Sequence, residues 1–129
     1  MTTPLWCLIV VAILPYVLAP LGGYFRIQQF KGLDNKHPRI QQAKMEGIGA
    51  RALAAQQNAW EALPFFTAAV LVSHLAQADP ATASKLSMGF VATRVLHPIL
   101  YLANIDTLRS IVFLVGLVCG FGLFWISCH

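Results

Sequence analysis

Apolar positions in this chain gather into four long runs, and polar residues mark the breaks between them. Pro4 to Phe25 carries no charge, and neither does Ser110 to His129 when histidine is counted as neutral. Between these, Ala52 to Ala78 holds one charged residue, Glu61, and Leu86 to Ile105 holds one, Arg94. A helix crosses the hydrocarbon core with roughly 20 mostly apolar residues, which predicts spanning helices over about 4–25, 48–77, 84–104 and 107–127. Backbone polar groups in lipid are satisfied only within helices or closed barrels. Barrel strands alternate polar and apolar positions, and none of the four runs does so. The expected fold is all-α: an integral membrane four-helix bundle, one domain across residues 1–129.

Local punctuation refines this picture. The first run is expected to stay in the protein, because its start, MTTPLW, has no positive n-region and its end no A-x-A site. Pro15, Pro20 and the Gly22-Gly23 pair predict kinks or close helix approach, both tolerated in membranes. The connection from Asn104 to Thr107 is so short that the third and fourth helices must be antiparallel neighbours.

Charge then orients the bundle. Arg26, Lys31, Lys36, Arg39, Lys44 and Arg51 stand against only Asp34 and Glu46, so this one stretch accounts for the whole net charge of +4. A Lys/Arg excess marks a cytoplasmic loop, which places both termini and the loop around Asp79-Pro80 on the opposite side. With 57% apolar and 11% charged residues, the chain lies far from soluble domains, where about a quarter of residues are charged. Disorder, a disulfide scaffold and an ordinary cytosolic enzyme are excluded. A nucleic-acid partner is not expected either, for lack of a basic stripe on a soluble fold. Cys7, Cys119 and Cys128 show no metal-ligand spacing and read as small packing residues.

An ionisable group at membrane depth costs about 2.5 to 3.5 kcal/mol on insertion scales, so Glu61 and Arg94 need a reason. Neither stands alone. At 100° per residue Arg51, Asn58 and Glu61 share one helix face, as do Arg94, His97 and Tyr101. Glu61 lies roughly 20 Å and Arg94 about 13 Å from their cytoplasmic helix ends, which predicts a Glu61–Arg94 ion pair. Asn58, His97, Tyr101 and Arg109 then face the cytoplasmic mouth. Two readings follow from spacing: polar glue between helices, with about 0.6 kcal/mol per contact, or a pocket for a small zwitterion. His74 is expected at the far interface.

The runs ARALAAQQNAWEALPFF (Ala50 to Phe66) and RVLHPILY (Arg94 to Tyr101) resemble the MAPEG superfamily, membrane-associated proteins in eicosanoid and glutathione metabolism. The likeness covers essentially the whole chain, looks nearest to the bacterial branch, and is similar to microsomal glutathione transferases. It implies a four-helix protomer, a homotrimer, and glutathione as cosubstrate bound between subunits near the cytoplasmic side. A bacterial inner membrane is the implied location. Position by position, Asn58 and Glu61 match the pair that holds the γ-glutamyl end. Arg94, His97 and Tyr101 resemble the set of the prostaglandin E synthase branch. Arg109-Ser110 looks like the arginine-serine in which the arginine stabilises the glutathione thiolate. Arg26 and Arg51 resemble further arginines around the tripeptide. One position departs: Ala54 stands where several eukaryotic members carry an arginine.

The resemblance implies a glutathione transferase or peroxidase whose arginine-stabilised thiolate attacks a lipophilic electrophile or hydroperoxide. The chemistry is sound on its own terms, since arginine suits bidentate carboxylate recognition and a nearby guanidinium lowers a thiol pKa. The alternative is a non-catalytic lipid-binding or scaffold member of the same fold. A small channel or transporter predicts broken helices or inverted repeats, and the sequence shows neither.

Overall fold

A computed structural model describes residues 1–129, and its regular structure is entirely helical: α1 (Thr3–Phe30), α2 (Pro38–Ala43), α3 (Gly47–Leu75), α4 (Pro80–Leu102) and α5 (Asp106–Ser127). The four long helices coincide with the four apolar runs. α1 continues past Phe25 to Phe30 and is unbroken through Pro15 and Pro20. It ends where Lys31 turns left-handed at φ 59°. α4 begins four residues earlier than the apolar pattern indicates. Asp79 caps it, accepting from the Thr82 backbone N–H at 2.8 Å and from its hydroxyl, and Pro80 opens the first turn. These hydrogen bonds from Thr82 hold the Asp79 carboxyl below its ordinary value.

The fifth helix, α2, lies within the basic loop and was not expected. Its six residues start at Pro38, and the chain before it is braced by side chains. Asp34 accepts from the backbone of Lys36 and His37, while Gln41 joins the Asp34 N–H to the Gly32 carbonyl.

α3 and α4 occupy the middle, each packed against all the other long helices, while α1 and α5 pack chiefly against these two. α4 and α5 form the most extensive antiparallel contact, as the short connection between them requires. Glycine permits the closest approaches. A Cβ at Gly116 would come 2.8 Å from Thr93 Oγ1, and one at Gly120 only 2.2 Å from a Phe65 ring carbon. α5 therefore docks against α4 and α3 at distances no other residue allows.

The flanking helices carry the apolar surface. α1 and α5 are the two helices that, by length and composition, are apolar enough throughout to cross a membrane, whereas α3 and α4 have the length but are more polar. α3 and α4 fall short because Gln, Asn, His, Ser and Thr dilute their low-charge runs. Leu114, Val118, Phe121 and Trp125 line up at helical spacing along α5 and are all exposed. The buried core is compact and one-sided: Cys7, Val11, Phe66, Ala69, Val70, Ala83, Phe90 and Leu123. These lie toward the start of α1 and α4 and the end of α3 and α5.

Candidate functional site

At the opposite end of the bundle α1 and α4 finish while α3 and α5 begin. That topology gathers the cationic residues of four helices. Arg94, on α4, is only 4% exposed. Its Nη2 donates to Asn58 Oδ1 on α3, and its buried Nε has no partner. The expected Glu61–Arg94 ion pair is not formed. Glu61 stands 60° round the helix from Asn58, and that rotation turns it to the exposed side of α3. Asn58 takes its place, because a neutral amide needs far less solvation than a carboxylate when drawn inside.

Arg94 and Glu61 nevertheless border the same space. Together with Asn58, Phe65, Phe90 and Phe113 they line a cavity of about 180 Å³ between α3, α4 and α5. The lining thus presents a cation from α4 and an anion from α3 that are not spent on each other. The rest is mostly apolar, with three phenylalanines beside Ala62 and Leu117.

A second, wider cleft of about 350 Å³ opens beside it, lined by Asn58, His97, Tyr101, Arg109, Ser110 and Phe113. Here the Arg109 guanidinium lies 4.2 Å from the centre of the Tyr101 ring, a cation–π contact that contributes about 0.5–2 kcal/mol depending on hydration. Tyr101 also meets His97 edge-on at 5.7 Å between centroids. His97 is 3% exposed, and its Nδ1 is buried without a partner. Asn58 and Phe113 belong to both cavities, so the two spaces adjoin across these side chains.

Seven of the nine residues expected from sequence meet in this pair of cavities: Asn58, Glu61, Arg94, His97, Tyr101, Arg109 and Ser110. Arg26 and Arg51 line neither. Arg26 is buried within α1 and Arg51 half-buried on α3, each with its Nε unpartnered. They stand at the same end of the bundle, Arg26 on α1, which lines neither cavity, and Arg51 about two turns before Asn58 on α3. Ala54 is half-buried and brings no charge toward it.

Phe65, Phe90 and Phe113 were not anticipated. Phe113 had a signal: it follows Arg109 by four residues and so shares its helix face. Phe65 and Phe90 had none, since an aromatic residue in an apolar run reads as ordinary core.

Chemically, the paired cavities can bind a molecule that carries both charges at one end and a group needing a cation at the other. Arg94 brings a guanidinium to the first cavity, Glu61 an acceptor, and Arg109 a positive charge held against an aromatic face in the second. A family model described as the MAPEG family matches residues 3–128. No curated protein and no solved structure matches the chain.

Proposed function

The chain belongs to the MAPEG family, and on that premise we propose that it is a membrane glutathione transferase or peroxidase acting on lipophilic electrophiles or hydroperoxides. The observation that carries this reading is the unpaired Arg94 and Glu61 on one cavity, next to the cleft that holds Arg109. The γ-glutamyl end of glutathione is an amino-acid zwitterion. Its carboxylate is complementary to Arg94, its ammonium to Glu61, and its amide to Asn58. An extended tripeptide then passes Asn58 and Phe113 and brings its thiol beside Arg109.

At that position Arg109 does the chemical work. An ordinary thiol has a pKa near 8.5, and a guanidinium a few ångströms away lowers it by favouring the charged form. Tyr101 holds the guanidinium in place. The acceptor arrives from the bilayer along the exposed apolar flank of the bundle, so the reaction is mostly thiolate stabilisation and positioning.

The same reading has all four long helices crossing the membrane, with the Lys/Arg-rich loop on the cytoplasmic side. It has three protomers closing a ring, in which Arg26 and Arg51 complete the site from their own positions at the shared end. For a bacterial member the membrane is the inner one.

Titration of the detergent-purified protein with glutathione tests this. We expect binding that Glu61→Gln weakens at least tenfold, and none for the dipeptide Cys-Gly, which lacks the γ-glutamyl group. No binding at several millimolar glutathione would overturn the enzyme reading. A lipid-binding or scaffold role, which the missing cation at Ala54 favours, would then lead.

A further inference from the structure

The basic loop has a structure that the glutathione reading does not use. α2 presents two different faces. Pro38, Gln41 and Gln42 are half-buried against the rest of the loop, whereas Arg39, Ile40, Ala43 and Lys44 are exposed. At 100° per residue those four span about 140° of one side, so two cations flank two apolar residues on the outward face. Lys36 and Lys31 are exposed just before it.

Neither carboxylate of the loop, Asp34 or Glu46, forms an ion pair with these cations. Asp34 is engaged by the backbone N–H groups of Lys36 and His37, at 3.1 and 2.9 Å. Arg39 donates to the neutral amide of Gln42. Lys31, Lys36, Arg39 and Lys44 against Asp34 and Glu46 leave this segment net positive, and Glu46 lies beyond α2 at the start of α3. It is also held in shape, with Gln41 bracing the turn and Gln29 accepting from the Glu46 N–H.

We propose that the outward face of α2 docks the headgroups of anionic phospholipids, with Ile40 dipping into the headgroup boundary and Lys36, Arg39 and Lys44 meeting phosphates. This rests on the membrane reading above and is independent of glutathione. Three features single out this occupant. The charge is complementary. A short helix with an apolar residue between cations is suited to lying in the interface plane. The loop directly follows α1, one of the two helices apolar enough to cross a bilayer. Long basic side chains lay their aliphatic stems on the acyl boundary while their charges stay in the headgroup layer.

Each Lys or Arg near an anionic surface contributes about 1 kcal/mol, roughly fivefold in affinity, so three give on the order of a hundredfold. Purified protein is offered equal amounts of phosphatidylglycerol and phosphatidylcholine, and the retained lipids are counted by native mass spectrometry. We expect phosphatidylglycerol to be preferred at least tenfold at low salt, with the preference collapsing near 1 M salt, where the screening length is about 3 Å. The triple variant Lys36→Gln, Arg39→Gln, Lys44→Gln abolishes the preference, and Ile40→Ser weakens retention of both lipids. All four positions are exposed, so circular dichroism should show unchanged helix content. Equal retention of the two lipids by the wild type, or an undiminished preference in the triple variant, would overturn the proposal. Glutathione titration of the same triple variant separates the two ideas, since its affinity is expected to stay within twofold of wild type.

Discussion

Where α1 and α4 begin, Phe66 lies flat on Phe90 with centroids 4.1 Å apart and planes 2° from parallel. Around them Ala69, Val70 and Leu123 are wholly excluded from solvent. Where the same helices end, the buried groups are Arg26, Arg94 and His97, and each leaves a polar nitrogen without a partner. The first end is packed closed about its aromatic pair, with one buried hydroxyl, Ser87 Oγ, left unpartnered and a cleft of about 300 Å³ at its rim bordered by Ser73, His74 and Ser84. The second is incomplete by the rule that buried polar atoms find hydrogen bonds. Incompleteness of this kind costs stability, about 1–3 kcal/mol for each unsatisfied buried group, and a ligand with the missing charges recovers it. One end of the bundle therefore holds the helices together, and the other leaves buried cationic side chains without full partners within the chain.

That contrast can be broken at either end. The largest loss of stability is expected at the closed end. Phe66→Ala removes a fully buried ring and should cost about 3–5 kcal/mol, read as a lowered denaturation midpoint in detergent. At the open end, Arg109→Ala should barely move the midpoint. Its kcat for conjugation should fall about 100- to 1000-fold, the range seen when one donor to a developing anion is removed. Glutathione affinity should change only a few-fold. Equal losses in kcat and affinity would remove Arg109 from the thiolate role.

Asn58→Ala sharpens the comparison further. It deprives Arg94 of its only protein partner, and the buried guanidinium then costs about 1–3 kcal/mol. Thermal unfolding should register this even without glutathione, whereas Ser110→Ala, an exposed change in the same cleft, should be silent. The smallest effect belongs to neither end's interior. Asp79→Asn keeps much of the α4 cap but loses the charge-assisted bonds from Thr82. Because the Asp79 carboxyl is held below its ordinary value, its extra stabilisation is complete above the ordinary carboxylate range. It disappears as pH falls through the depressed value. The small gap between wild type and variant should therefore be present at pH 7 and close below about pH 4.

The four long helices were legible because charge is scarce along each of them, and that scarcity is visible one residue at a time. Their ends were less so. Arg26 to Phe30 extends α1 by a polar turn that an apolar count stops short of. Asp79-Pro80 reads as a loop until Thr82 is seen to complete the cap. α2 was hidden because six residues in a basic loop have too little apolar period to register.

The site shows the same division. Helical spacing alone put Asn58 with Glu61, and Arg94 with His97 and Tyr101, and the structure brings these groups together. Which partner Arg94 takes was beyond reach. Asn58 and Glu61 differ by 60° about the α3 axis, and spacing within one helix cannot fix that helix's rotation against its neighbour. The aromatic walls at Phe65 and Phe90 were silent, since nothing distinguishes a ring that lines a cavity from one that fills a core.

The central claim is that Arg94 and Glu61 are left unpaired for a zwitterionic ligand. Melting temperatures of the wild type, Glu61→Gln, Arg94→Gln and the double variant, each with and without saturating glutathione, address it directly. Without glutathione the two substitutions should be additive within about 0.5 kcal/mol, as expected of groups that do not interact. With glutathione the wild type alone should gain substantial stability. Strong coupling between the two substitutions in the absence of glutathione, or the same gain in all four proteins, would contradict the account.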